Sequence, residues 1–172
     1  NPSLVGSEMC IRDRYLILVL FSFNLFASER PLTTADRLDI IDVINNYGLA
    51  VDNKDYDLFR SLFFNDVEAR LVFDPSFFGG EEIIINGLDK WVAYIKESGA
   101  LFKTSQHLIG NPLISYDGEL VKVRSNLNSR GYYKGEEGRS VSLWGYYETY
   151  MQKDKDSWKI TKHTFFSLGT DE

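Results

Sequence analysis

The stretch INNYGLAVDNKDYDLF sets a phenol, Tyr47, and a carboxylate, Asp52, where an apolar helical stripe gives way to polar residues. The rest of the chain supplies two imidazoles, His107 and His163. These side-chain types move protons. An imidazole paired with a carboxylate serves as base and acid in turn, because the carboxylate fixes its tautomer and stabilises the charged ring. A tyrosine hydroxyl donates to a developing oxyanion or orients a leaving group. Eliminating water beside a carbonyl, or isomerising through an enolate, needs a base and donors of this kind. Each positioned acid–base group contributes roughly 10²–10⁴ in rate.

Asp52 falls in the last turn of its helix, where the helix dipole is negative. Stability alone favours Lys or Arg there, and the acid's pKa is expected to rise. Tyr47 and Asp52 lie about 140° apart around a helix axis, so they share a cavity only if the helix end curls into it. A plainer reading makes Asp52 a solvent-facing turn residue, Tyr47 a core residue and each histidine a half-buried strand residue. Other chemistries lack their residues. There is no G-x-S-x-G turn, no phosphate-binding glycine loop and no His-x-x-x-His pair. The spacing of the two histidines suggests no metal site. The only cysteine is Cys10, which excludes disulfides from the rest of the chain. A net charge of −6 without a basic stripe argues against nucleic acid.

The elements that must position these residues follow from spacing. Thr33-Thr34-Ala35-Asp36 resembles a capping box, and Ile40, Ile41, Ile44, Tyr47 and Val51 recur at helical intervals. The cluster Asp52-Asn53-Lys54-Asp55 ends that helix, with Lys54 read as solvated and Asp55 as the cap of a second, shorter helix. Leu58, Phe59, Leu62 and Phe63 form that helix's buried side. VEARLVF reads as a strand, Ile83 to Ile85 as a short one, and LDKWVAYIKE as a third helix ended by Gly99. Four further strand-like runs follow: SQHLIGNPLISY, ELVKVRSNLNSRGYY, VSLWGYYETYMQ and SWKITKHTFFSL. Their short connections make them antiparallel neighbours. The pattern predicts an α+β fold, a strongly curved, mostly antiparallel sheet wrapped around about three helices. Such a cone encloses a pocket that Phe59, Phe63, Trp91, Tyr147 and Phe165 are placed to line, although any one of them also fits ordinary core.

The opening helix LDIIDVINNYGLAVDNKDYDLFRSLF, the ING-x-x-x-W turn, the TSQHLIGNPLI strand and the terminal GYYETYMQKDKDSWKITKH hairpin together resemble the SnoaL-like branch of the nuclear transport factor 2-like superfamily. The resemblance runs from about Thr33 to the end. Its site pattern is closest to bile-acid and scytalone dehydratases, which place a Tyr and an Asp near the end of the first helix and a His on the strand after the third. It therefore implies a catalytic set of Tyr47, Asp52 and His107. His163 does not fall clearly on the second histidine position of scytalone dehydratase, and is assigned to substrate binding with the aromatic residues. The implied activity is a small lyase or isomerase without cofactor or metal, acting on a hydrophobic cyclic hydroxy-carbonyl compound. The alternative is a non-catalytic ligand-binding or assembly module of the same fold. Homo-oligomers, dimer or trimer, are implied as well.

The chain's start carries two further readings. LVGSEMCIRD, Leu4 to Asp13, resembles translated sequencing-adapter sequence, which sets residues 1–14 apart as non-native. The apolar run from Tyr15 to Phe26 is shorter than the ~20 residues that span a bilayer. It suits a signal-peptide core with cleavage near Ala27 and Ser28, leaving one SnoaL-like domain over 29–172. Export to the periplasm or medium is the expectation, and a membrane anchor the alternative.

Overall fold

The computed structural model describes residues 31–75, 80 and 82–171. The adapter-like and leader segments lie outside the described residues, so the export and anchor readings do too. No helix among the described residues is long and apolar enough to cross a membrane.

Helix α1 spans Thr34–Asn53 and begins on a full capping box. The Thr33 hydroxyl accepts from the Asp36 N–H, and the Asp36 carboxylate accepts from the Thr33 N–H. Its buried stripe is Ile40, Ile44, Tyr47, Gly48 and Ala50. Helix α2, Tyr56–Ser61, is capped by the Asp55 carboxylate, which accepts from the Leu58 N–H at 2.9 Å. It is shorter than its apolar spacing suggests. Leu62 already lies beyond it, and Phe63 opens strand β1, Phe63–Val72. The reason is long-range: the Leu62 carbonyl accepts from the Ile160 N–H at 2.8 Å, and Phe63 pairs with Ile160. Strand β2, Glu82–Asn86, leads into helix α3, Leu88–Ala100.

Strands β3 (Phe102–Asp117), β4 (Leu120–Tyr133), β5 (Ser140–Asp154) and β6 (Ser157–Asp171) form the expected antiparallel meander. The six strands run in the order β2-β1-β6-β5-β4-β3. One pair, β1 with β6, is parallel. The open, curved sheet closes over the helices, and Ile40, Phe59, Val67, Trp91, Val123, Met151 and Ile160 are among the side chains buried between them. Strand β3 is one edge of the sheet, β2 the other, and α1 lies along β3. That contact builds the candidate site.

Candidate active site

The polar cluster after Val51 divides into three jobs. Lys54 ends α1 in the left-handed region, φ 57°, where its N–H returns to the Ala50 and Val51 carbonyls. It is no mere solvated residue, because its ammonium also donates to the Phe102 carbonyl at 2.9 Å, at the start of β3. Asp55 caps α2. Asp52, in the last turn of α1, turns to β3. Its Oδ2 accepts from the His107 backbone N–H at 2.8 Å. Its Oδ1 lies 2.6 Å from His107 Nδ1 and accepts from the Ser105 hydroxyl at 3.1 Å. The helix end is thus riveted to an edge that would otherwise present free backbone groups.

These contacts reverse the expected titration of Asp52. Burial does push its carboxyl up, but the hydrogen bonds from the His107 ring and backbone, the charge of the ring and the Ser105 hydroxyl outweigh it. The net value lies below the ordinary 3.8. The sequence reading counted the helix end and an apolar pocket; it omitted the donors that β3 supplies. An ionised carboxylate can only accept, so Nδ1 of His107 carries the hydrogen, and whenever the ring is neutral its lone pair lies on Nε2. That is the tautomer of a general base. The two side chains are only 15–16% exposed, which strengthens their interaction.

His107 also lines a cavity of about 510 Å³ between α1 and strands β3 and β4, open on one side. Gly48 and Leu49 of α1 face Ile109 and Leu127 across it, with Asn45, Asn126 and Asn128 among the polar residues around it. Gly48 matters for space. A Cβ there would stand 3.2 Å from Ile109 Cδ1 and 3.5 Å from His107 Cβ. Glycine keeps the helix close enough for Asp52 to reach the strand.

Of the sequence-assigned residues, Asp52 and His107 are brought into direct contact. Tyr47 is not on the open cavity. It is 4% exposed in the core, where its ring packs on Phe59, Phe63, Tyr147 and His163. Its hydroxyl hydrogen-bonds with that of Tyr147, and the Asp52 charge reaches both phenols. Burial first, and that charge, hold both pKa values above the usual tyrosine value, so both stay protonated. Phe59, Phe63, Trp91, Tyr147, His163 and Phe165 are each 0–5% exposed and pack in one cluster inside the cone; none lines the open cavity. The inward face of β6 carries His163 and Phe165. His163 Nδ1 pairs with the Thr149 hydroxyl at 2.9 Å, while Nε2 has no partner. Burial lowers its pKa to about 3, so the ring is neutral.

Sequence reasoning missed Ser105, Gly48 and the Tyr47–Tyr147 pair. A signal existed for the first: Ser105 stands two before His107, so period-two alternation puts both on one face. Among the described residues no cluster of three or more His, Cys, Asp and Glu side chains is arranged to hold a metal.

A curved six-stranded sheet over three helices, with a carboxylate and an imidazole joined at the end of the first helix, defines an α+β cone of the nuclear transport factor 2-like superfamily. Within it the chain belongs to the SnoaL-like domain family, whose model matches residues 33–164. Among solved structures it is similar to a provisionally designated scytalone dehydratase from Novosphingobium aromaticivorans, at 20% identity and TM-score 0.67, over 80% of this chain and 87% of that one. A provisionally designated aromatic ring hydroxylase from Novosphingobium aromaticivorans gives 25% identity and TM-score 0.66, over 81% and 94%. A hexachlorocyclohexane dehydrochlorinase from Novosphingobium barchaimii gives 15% and 0.66, over 80% and 89%. Comparison with curated proteins gives no match.

Proposed function

We propose that the chain is a lyase or isomerase of dehydratase type, acting on a hydrophobic cyclic hydroxy-carbonyl compound with no cofactor in the step. The observation that carries this is the 2.6 Å contact between Asp52 Oδ1 and His107 Nδ1 beside a ligand-sized cavity. His107 Nε2 takes the proton from the carbon next to the carbonyl, and the C–H electron pair forms the enolate. The imidazolium, stabilised by Asp52, then returns that proton to the departing hydroxyl, which leaves as water. In the isomerase variant it returns the proton to another carbon. Tyr47 and the aromatic cluster stand behind the carboxylate in the core, away from the open cavity, and back the dyad rather than touch the substrate. The names of two structural neighbours, a dehydratase and a dehydrochlorinase, support an elimination.

The second reading, a ligand-binding or assembly module without catalysis, is favoured by one observation: aromatic side chains fill the cone behind the dyad. A screen of cyclic β-hydroxy ketones, followed by the ultraviolet absorption of the conjugated enone, separates the two. Wild type is expected to turn over at least one compound. Asp52→Asn and His107→Ala should each lose roughly 10²-fold or more in rate while still binding it. Equal binding with no turnover in all three proteins would establish the binding module instead.

A further inference from the structure

The backbone of β3 alternates between its partner strand and the free edge, and Asp52 fixes the phase. Because the His107 N–H is donated outward to Asp52 Oδ2 at 2.8 Å, His107 and Ser129 face each other without exchanging ladder bonds. The His107 carbonyl points the same way, 3.8 Å from where a Cβ on Gly48 would stand. Pairing continues without a shift from Ser105↔Gly131 to Gly110↔Asn126. Two residues on from His107, Ile109 opposite Leu127 therefore repeats the arrangement and turns its own N–H to the free edge. No carboxylate meets it there. The α1 residue nearest is Gly48, which has no side chain, and Ile109 lines the same cavity as His107.

The geometry points to the Ile109 backbone N–H as the oxyanion donor of this site. The assignment rests on His107 being the base. As His107 Nε2 removes the proton, the C–H electron pair moves toward the carbonyl and negative charge collects on its oxygen. A fixed amide that is already unpaired stabilises that charge without reorganisation. The imidazole projects from the inner face of the sheet and the amide lies along its edge. A rise of about 6.6 Å over two strand residues separates them, a span that a six-membered ring with its carbonyl can bridge. Gly48 leaves the approach open.

The test uses full-length, ¹⁵N-labelled protein and 4-nitrophenol, a ring whose anion mimics the enolate. The probe is used at a pH where it is already the coloured phenolate in solution, so its oxygen can seat at the Ile109 amide without passing a proton to His107. In the free protein the Ile109 amide should exchange with solvent faster than those of Leu108 and Gly110, which bond into the ladder. Saturation with the probe should move the Ile109 amide proton downfield. Ile109→Pro removes the free edge N–H, at a position where proline is tolerated, and also trims the side chain that lines the cavity. It should stay folded and bind the phenolate on the order of ten- to a hundredfold more weakly. Ile109→Val, which keeps the N–H and loses one methyl group of the lining, should weaken binding far less than Ile109→Pro. The inference is overturned by slow exchange at Ile109, by an amide that does not move with probe bound, or by Ile109→Pro binding unchanged. Unfolding of Ile109→Pro, or wild type that binds no probe, overturns it equally. Failure of the base assignment looks different: the Ile109 amide would still move with probe bound, but His107→Ala would turn over the cyclic β-hydroxy ketones as wild type does.

Discussion

At the residue scale the candidate site is Asp52. The sequence showed an acid in the wrong turn of a helix with a phenol five residues earlier, and that much holds. Its partner became visible only through the family pattern, since nothing in a separation of some fifty residues tells that the edge of β3 lies against the end of α1. The direction of its pKa could not be read for the same reason. The three donors belong to Ser105 and His107, and they outweigh burial. The sign of the pH effect follows. Asp52 contributes stability in full above its ordinary value of 3.8, and loses it as pH falls through its lower native value. Gly48 offers a test of the cavity through the close approach of α1 to β3. Gly48→Ala replaces a helix-interior glycine, a gain of about 1 kcal/mol, against a 3.2 Å contact with the flexible end of Ile109. Its urea midpoint should stay near wild type. Gly48→Leu overpacks the contact of α1 with β3, so its urea midpoint should fall while the added branch occupies the cavity. It should lose 4-nitrophenol binding at least tenfold, measured by absorbance titration. Unchanged binding would remove the cavity from the site.

At the scale of elements, order and type were legible and some boundaries were not; α3, expected to end at Gly99, runs through it to Ala100. Period-3.6 stripes gave the three helices, and short polar turns gave the meander. The second helix was read too long because Leu62 and Phe63 continue its apolar spacing. What stops it is pairing with Ile160, a residue nearly a hundred positions away, and such pairing leaves no mark in local spacing. The register between β5 and β6 shifts between Trp144 and Gly145, and there the chain has no room for a side chain. A Cβ on Gly145 would fall 2.0 Å from the Phe166 carbonyl oxygen. Backbone, not a pliable side chain, would have to move. Gly145→Ala should therefore lower stability by about 1–3 kcal/mol, read as a fall in urea midpoint at constant slope. Gly110→Ala is the control, because its Cβ would meet nothing within 4 Å; it should match or exceed wild type.

At the scale of the whole molecule, the order of helices before a long antiparallel run was enough to give the cone, but its filling was not. The aromatics named as pocket lining close on one another beside His163, because the curved sheet brings Tyr147 onto Tyr47 and His163, with Phe165 of the neighbouring strand packed on Tyr147. The phase of β6 could not be read from sequence, since Lys162, His163 and Thr164 give no clean alternation. The structure turns His163 fully inward, 2% exposed, with only Thr149 as a hydrogen-bond partner. This makes the fold acid-sensitive above the range where carboxylates titrate. In the unfolded chain the ring has its ordinary value of 6.5, and in the native core about 3. Between these the unfolded state binds more protons, so stability is full above about pH 6.5 and declines as pH falls, by about 1.4 kcal/mol per unit. From pH 7 to pH 5 the wild type should lose about 2 kcal/mol in urea unfolding. The pair His163→Phe with Thr149→Val replaces both hydrogen-bonding groups with apolar ones of similar size, leaving no buried orphan. Its stability should be nearly flat over the same interval. If the double variant keeps the full slope, the protons responsible bind elsewhere, and the neutral histidine is not what ties this core to pH.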